Sequence, residues 1–305
     1  MSMRYPAGFI SAFYNPLKNP DAPTIGTATG GSGSISVAFT APTNVGGSAI
    51  TSYVATAKRT SDGVLFTASG ASSPITVTGL TAVAFTATVV AVNSYGPSAS
   101  SAASNSATPL AIGDAFGGGF YAGQIDQSGT IYNLVVGPVA SAQSATLRKY
   151  KNLSTATAGA DSVIDGPQNT VDIVADGNST VYPAAHFCND LVIGGFSDWY
   201  LPAKNELEVC YYNLKPDTTS NLTNSGTNTN AVPSRGSNYT AGTPAQTSAT
   251  NFQTTGTEDF ALDYYWSSSE YSTEKAWTQY FVNGYQYASS KDNSQRVRAI
   301  RRVAV

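Results

Sequence analysis

The sequence predicts a multidomain protein in which an all-β sandwich is followed by an α+β domain. Short runs of alternating apolar and polar residues, separated by turn signals, fill residues 21–109. Two amphipathic helical patterns then occur within residues 184–214, and aromatic strand patterns follow in residues 264–303. The chain has 305 residues, which is enough for two ordinary domains.

Four strand-like runs predict the first domain. They read SISVAFTAP at residues 34–42, ITSYVATAKR at 50–59, PITVTGL at 74–80 and AFTATVVAVNSYG at 84–96. The pairs Gly46-Gly47 and Asp62-Gly63 are turn signals between them. Short strands with such regular turns indicate a β-sandwich.

These runs, with the proline-rich start at residues 20–23 and the segment AVNSYGPS, resemble the fibronectin type III family of immunoglobulin-like sandwiches. The resemblance covers nearly all of residues 21–109. It departs at Phe85, which stands near the place of a tyrosine in that family. A phenylalanine has no hydroxyl for the hydrogen bond that the family's tyrosine makes at a strand corner.

The second domain is predicted over residues 110–305. It opens with a hairpin-like run at residues 113–138 and continues, from Ala184, as AAHFCNDLVIGGFSDWYLPAKNELEVCYYNL. The runs YYWSSSEY, KAWTQYFVNGY and RVRAIRRVAV follow. This order resembles the Lcl C-terminal domain family, a branch of the C-type-lectin-like fold. The resemblance implies an α+β domain whose opening hairpin pairs with its last strand, and whose surface loops bind a ligand outside the cell.

Both cysteines fall on apolar helix faces. Cys188 shares a face with Phe187 and Leu191, and Cys210 shares one with Leu214. Buried free thiols are one interpretation, since a free cysteine behaves as a small hydrophobic residue. A disulfide between them is the alternative. In the resembled family a cysteine near the first helix often pairs with one in the last strand, but this chain has no cysteine there.

The residue types of catalytic and metal sites are sparse. His186 is the single histidine and has no nucleophile motif beside it, so we expect that the protein is not an enzyme. Two sets of oxygen ligands are present, without a diagnostic spacing for calcium: Asp172, Asp176 and Asn178, and Glu258, Asp259, Asp263 and Glu270. We expect no cofactor, with a structural calcium ion as the open alternative.

Two further groups of residues have structural interpretations. Arg296, Arg298, Arg301 and Arg302 alternate with apolar residues, which predicts a strand with one solvated face. These arginines are positioned to pair with the acidic stretch near Glu258, Asp259 and Asp263. Three tryptophans are expected in the core: Trp199, Trp266 and Trp277.

The candidate ligand-binding surface lies beside residues 215–260, a long run rich in Thr, Asn, Ser and Gly. Loops of this length inside a domain are usually functional or disordered. Five tyrosines follow it, and tyrosine offers large contact area at low entropic cost. The predicted ligand-binding residues are Tyr264, Tyr265, Tyr271, Tyr285 and Tyr287.

Residues 1–20 form an aromatic and proline-rich leader outside both domains. Its side chains offer apolar area for docking on a partner, and the predicted docking residues are Tyr5, Phe9, Phe13 and Tyr14. A leader with these two domains resembles structural proteins of tailed phages, particularly those of marine cyanobacteria. The resemblance implies a virion surface protein, a tail fibre or capsid-decorating fibre, with a receptor- or glycan-binding head.

A structural adaptor or decoration protein without a ligand of its own is the alternative, and a glycan hydrolase is a third hypothesis. The net charge of -3 excludes a global attraction to nucleic acid, and no apolar run is long enough for a membrane span. We expect assembly in the host cytoplasm into the virion, contacts with other virion proteins through the leader, and a homo-oligomer.

Overall fold

The computed structural model describes residues 17–305. They divide into two compact units, with the boundary between Leu110 and Ala111. The four aromatic residues assigned to docking, Tyr5, Phe9, Phe13 and Tyr14, lie outside the described residues.

Within residues 17–110, unit 1 has seven strands in two antiparallel sheets. One sheet has the order β1-β2-β5 and the other β4-β3-β6-β7. The strands are β1 (Thr24–Gly31), β2 (Ser34–Thr40), β3 (Ser52–Arg59), β4 (Leu65–Gly70), β5 (Ile75–Thr78), β6 (Phe85–Asn93) and β7 (Gly96–Pro97).

The core of unit 1 follows from the two-residue alternation of side chains along its strands. Along β6, residues alternate strictly between buried and half-buried, because successive side chains of a strand point to opposite faces. Inward-facing residues from both sheets form one cluster, including Ile35 and Val37 of β2 and Ala55 and Ala57 of β3. The predicted all-β character is confirmed, and Phe85 is buried in this core.

Three serines spaced three residues apart hold the segment after β7 against β6. The backbone N–H of Ser98 donates to the carbonyl of Ala91, and its hydroxyl accepts from the Ala91 N–H at 3.0 Å. Ser101 makes the same two hydrogen bonds with Val89, and Ser104 makes them with Ala87. The serine hydroxyls thus satisfy backbone donors that an irregular neighbour would otherwise leave unpaired.

The structure describes every residue of unit 2, which contains ten strands, four α-helices and a short 3₁₀ helix at Thr250–Phe252. The strands are β8 (Ala115–Phe116), β9 (Gly119–Gln127), β10 (Thr130–Val136), β11 (Arg148–Lys149), β12 (Ala231–Val232), β13 (Tyr264–Glu270), β14 (Lys275–Tyr280), β15 (Gln286–Ser290), β16 (Ser294–Gln295) and β17 (Ile300–Ala304). The helices are α1 (Val139–Ala142), α2 (Gly166–Asp176), α3 (Pro183–Asn189) and α4 (Lys204–Leu214).

Three sheets organise unit 2. The largest has the order β12-β9-β10-β17, with β8 paired to β9, and smaller sheets are β13-β14-β15 and β11-β16. Strand β17 pairs with β10 from Tyr132↔Ala304 to Val136↔Ile300. The opening hairpin therefore meets the last strand, as the resemblance implied. Helix α4 packs against β9, β13 and β14, and this places the start of α4 beside the three-stranded sheet.

The polar segment at residues 215–260, which the sequence predicts as a long loop, is partly core. Tyr239, Phe252 and Phe260 belong to the same buried cluster as α4. The same segment contains two buried asparagines whose side chains donate to backbone carbonyls: Asn221 to Pro244 and Asn228 to Asn205. Aromatic anchors and internal amide hydrogen bonds replace regular secondary structure here.

Both cysteines are free and fully buried, which confirms the helix-face interpretation and leaves no disulfide between them. Burial raises the pKa of both thiols, Cys188 and Cys210, well above the ordinary value. Such thiols are poor nucleophiles because the thiolate is the reactive form.

The arginines of the last segment do not form a solvated face, and that expectation is wrong for two of them. Arg298 and Arg301 are buried. Arg298 donates to Glu258 at 3.0 Å and lies over the Phe260 ring. The expected pairing with the acidic stretch is confirmed for Arg298 with Glu258 and for Arg296 with Asp263.

We expect Arg298→Ala to lower the free energy of unfolding of unit 2 by about 3–5 kcal/mol, because it leaves the largely buried Glu258 carboxylate without its ion-pair partner and three backbone carbonyls without this donor. Arg296→Ala is the matched control and should cost about 1 kcal/mol or less, since the Arg296 and Asp263 side chains are 33% and 39% exposed. Urea unfolding followed by tryptophan fluorescence reports unit 2 alone, because all three tryptophans lie there. Equal losses in both variants would contradict the prediction.

Candidate functional site

Tyr265 is fully buried, so its assignment as a ligand-binding residue is wrong. Its hydroxyl accepts from the Ala261 N–H at 2.9 Å and donates to Gln143 at 3.0 Å. The physical reason is strand alternation: Tyr264 and Tyr265 are adjacent on β13 and therefore face opposite sides of the sheet. The side with Tyr265 packs on Phe260 and Phe281.

Tyr264 lies in a cluster of partly exposed tyrosines on the other side of this sheet. Its ring stacks on that of Tyr280 at 4.2 Å between centroids. The ring of Tyr285 lies 5.8 Å from that of Tyr287, which is 44% exposed. These four residues, Tyr264, Tyr280, Tyr285 and Tyr287, are called the tyrosine cluster below.

Tyr271 lies apart from that cluster and is the most exposed of the five predicted tyrosines, at 58%. Its ring meets Trp277 edge to face at 5.0 Å. Trp277 is half-buried rather than a core residue, which corrects the expectation made for it. The ammonium of Lys204, the first residue of α4, lies 4.5 Å from the Trp277 ring centroid. This is the geometry of a cation–π contact.

Trp277 forms one wall of an open polar cleft of about 210 Å³, called the Trp277 cleft. Trp277 and Gln286 share a sheet face, because their positions on β14 and β15 alternate in register. The other lining residues are Lys204, Asn224, Ser225, Gly226, Thr227 and Asn238. Among the described residues, none forms a hydrogen bond with the amide nitrogen of Gln286, which is buried beneath the cleft surface. The cleft thus offers an aromatic ring and several amide and hydroxyl groups.

The far wall of the cleft rests directly on the core. Gly226 has φ of 105°, and a Cβ there would come within 2.2 Å of the Tyr239 ring. Only glycine fits this close approach and this backbone region without strain. Gly226 is flanked by three of the lining residues, Asn224, Ser225 and Thr227. The Thr227 hydroxyl donates to the Asn238 side chain at 2.7 Å.

A second hollow of about 240 Å³ shares Asn238 with the cleft and is called the Arg235 hollow. The Arg235 guanidinium lies 3.9 Å from the Tyr212 ring centroid and pairs with buried Glu208. The remaining lining residues are small or polar: Gly236, Ser237, Tyr239, Thr240 and Thr243.

A third hollow of about 300 Å³ lies on the other side of Tyr271 and is called the Tyr271 hollow. Asp161 and Glu270 are its charged residues, and Glu270 pairs with buried Lys291 at 2.6 Å. Its other lining residues are Ala156, Thr157, Ala158, Gly159, Ser272 and Thr273.

Sequence reasoning identified one residue of these hollows, Tyr271, as a binding residue. It missed Lys204, Asn238 and Gln286, which are ordinary polar residues in the sequence. It placed the surface beside residues 215–260, and residues 224–243 of that segment line two of the three hollows.

No cluster of three or more His, Cys, Asp or Glu side chains suited to a metal ion occurs in residues 17–305. The carboxylates considered for calcium have other partners: Asp176 pairs with Lys151 and Glu258 with Arg298. The ring of His186 bonds to the Gly177 carbonyl at 2.7 Å.

Two carboxylates of α4 are fully buried, Glu206 and Glu208. Glu206 accepts from the Tyr200 hydroxyl and from the Ala203 N–H, each at 2.8 Å. Burial is the largest cause of its raised pKa, which reaches about 7. Because solvent does not reach them, these carboxylates act in the structure rather than on a ligand.

Residues 160–301 match the family model of the Lcl C-terminal domain. No curated protein matches the chain. Of the described helices, none has the length and apolar character needed to cross a membrane.

Solved structures similar to the chain contain fibronectin type III or immunoglobulin-like domains. The FN5 domain of Drosophila Lar is 25% identical, covers 30% of this chain and 96% of that chain, with a TM-score of 0.25. A human FNIII domain is 24% identical, covers 36% and 96%, with a TM-score of 0.28. The twitchin kinase region of C. elegans is 18% identical, covers 31% and 18%, with a TM-score of 0.28.

The chain spans 18% of the twitchin region and 32% and 33% of two of the titin structures that it also matches. The β-sandwich of unit 1 is established by its own sheets and register rather than by these likenesses, whose TM-scores lie below 0.5.

We expect Glu206→Gln to weaken the pH dependence of unit 2 stability. The folded pKa of about 7 exceeds the ordinary value of 4.5, so the folded state keeps its proton longer than the unfolded state. This contribution to stability is complete below pH 4.5 and is lost as pH rises through 7. Between pH 5 and 8 the wild type should lose about 2 kcal/mol more than the variant.

Urea unfolding followed by tryptophan fluorescence at several pH values measures this difference. Glu208 is present in both proteins and cancels in the comparison. Identical pH profiles would show that Glu206 does not titrate in this range.

Proposed function

We propose that this protein is a virion surface protein, a tail fibre or capsid-decorating fibre, whose unit 2 presents a binding site for a host receptor or glycan. In this proposal unit 2 is a C-type-lectin-like domain, the chain forms a homo-oligomer, and it is exposed on the virion after assembly in the host cytoplasm. The observation that carries the binding role is the Trp277 cleft.

The chemistry of the Trp277 cleft favours a ligand rich in hydroxyl groups. Asn224, Asn238 and Gln286 line it with amide groups, and Ser225 and Thr227 line it with hydroxyls. Trp277 adds a flat apolar surface. Sites of this kind combine a few placed polar groups with an aromatic wall. A saccharide matches both, since its ring has polar edges and apolar faces.

The low charge of the cleft supports the same conclusion. Lys204 is the one charged residue among the lining residues, and burial lowers its pKa. Its ammonium is already placed over Trp277, which orients the ring for contact.

The adaptor hypothesis is favoured by a different feature, the tyrosine cluster. Four partly exposed tyrosines on one sheet face offer area suited to a neighbouring chain, because aromatic residues are enriched in interfaces. In that case the cluster is covered in the particle. Other virion proteins also contact the leader, in this proposal through Tyr5, Phe9, Phe13 and Tyr14.

We expect Trp277→Ala to weaken glycan binding by about thirtyfold, the effect of losing a central aromatic anchor worth about 2 kcal/mol. Binding of the full chain to a glycan array is the measurement. Gln286→Ala is a second cleft variant and should also weaken binding. It leaves Trp277 in place, and the Gln286 side-chain nitrogen makes no hydrogen bond among the described residues that the substitution would remove. Tyr95→Ala is the control, since Tyr95 is 46% exposed in unit 1. No glycan bound by the wild type, or unchanged binding by both cleft variants, would contradict the binding role.

We expect deletion of residues 1–16 to leave both units folded and to abolish incorporation into particles. The deletion ends at residue 16 because the next residues form hydrogen bonds within unit 1. The Lys18 N–H donates to the Gly46 carbonyl, and the Asn19 side chain donates to the Pro97 carbonyl at 2.8 Å. Mass spectrometry of purified particles counts the incorporated chains. Incorporation at the normal copy number would refute docking through the leader.

A further inference from the structure

The three hollows adjoin one another on unit 2. The Trp277 cleft and the Arg235 hollow share Asn238. Trp277, which also lines the cleft, has its ring 5.0 Å from that of Tyr271, and Tyr271 lines the third hollow. Each flanking hollow is therefore joined to the cleft by a shared residue or by a direct contact between lining residues.

Each hollow is small by itself. Their volumes of about 210, 240 and 300 Å³ are at or below the lower end of the usual range of small-molecule sites, about 300–1,000 Å³. One hollow fits one small unit of a ligand. Together they offer a repeated arrangement in which Tyr212, Trp277 and Tyr271 each place an aromatic ring in or beside a polar depression.

The charges along the hollows balance. Lys204 and Arg235 are the cations, and Asp161 and Glu270 are the anions. Arg235 and Glu270 are already paired with buried partners. A polyanion would meet the carboxylates in the Tyr271 hollow, and a polycation would meet Lys204 and Arg235. Like charges placed together cost free energy, so the row of hollows favours an uncharged chain.

The polar groups favour a saccharide over a peptide. Hydroxyl side chains line all three hollows, among them Ser237, Thr227, Thr157 and Ser272, and amide side chains line two of them. They pair with ligand hydroxyls in any direction around a sugar ring. A peptide added to a sheet edge would instead be recognised through backbone groups of a strand.

We infer that the ligand is a neutral linear oligosaccharide of several units, which runs from the Arg235 hollow through the Trp277 cleft to the Tyr271 hollow. This inference rests on the proposed binding role of unit 2 and adds the ligand class and the extent of the site. The cleft binds one unit, and each flanking hollow binds the next unit along the chain.

The test uses the full chain and an array of linear neutral glucans and mannans of one to eight units, with oligogalacturonides and uncharged peptides as comparators. Affinity should rise about 100-fold from one unit to three and then level off, because successive units fill the three hollows. Two variants block the flanking hollows at exposed serines: Ser237→Trp and Ser272→Trp. Ser61→Trp in unit 1 is the control.

Each blocking variant should bind a three-unit chain about tenfold more weakly and a single unit as tightly as the wild type does. Affinity that does not depend on length, or blocking variants equal to Ser61→Trp, would overturn the extended site while the binding role stands. Binding confined to oligogalacturonides or to peptides would overturn the ligand class. Failure of the wild type to bind any probe on this array and on the broader glycan array would reject the binding role as well.

Discussion

One buried carboxylate, Glu208 of α4, holds the polar segment that forms much of the candidate site. It accepts from Asn228 at 2.6 Å, from the Tyr239 hydroxyl at 2.8 Å and from Arg235. Asn228 and Tyr239 are fixed in turn by the backbone and by the core. A buried charge is tolerated only when it is paired and fully hydrogen-bonded, so the segment must fold back over α4 to supply these donors. The two hollows that share Asn238 lie on the loop so formed.

Helix α4 connects this anchor with the rest of unit 2. Its buried residues pack on β9 and on the three-stranded sheet, and its first residue, Lys204, contacts Trp277. Trp277 is therefore positioned from two sides, by its strand and by the helix. A binding surface built on such elements is better pre-organised than one on free loops, because less ordering entropy is lost on binding.

Buried ion pairs recur throughout unit 2. Arg298, Lys291 and Arg235 each have a carboxylate partner in the interior. Pairs of this kind add little net stability over apolar residues, but losing one partner is costly. Their effect is to specify which segments meet, since each joins residues far apart in the chain. In a unit with few helices and much irregular backbone, these pairs fix positions that regular secondary structure does not.

Local periodicity determined what was correctly predicted. The strands of unit 1 and the buried faces of the helices around Cys188 and Cys210 follow from side-chain spacing along a single element. The sequence by itself also indicated the neighbourhood of the candidate site, the polar segment and the aromatic strands after it. Local pattern alone was sufficient there because burial on one face depends only on the element's own period.

Only the tertiary structure decided which of these residues are accessible. Tyr264 and Tyr265 are neighbours in sequence, yet one is in the tyrosine cluster and the other is in the core, because the packing of α4 and Phe260 covers one sheet face. Arg298 is buried where it pairs with Glu258, a distant residue in the sequence, and Trp277 is half-buried where Lys204 of α4 contacts its ring. Contacts between distant segments set these outcomes, and no local pattern encodes them.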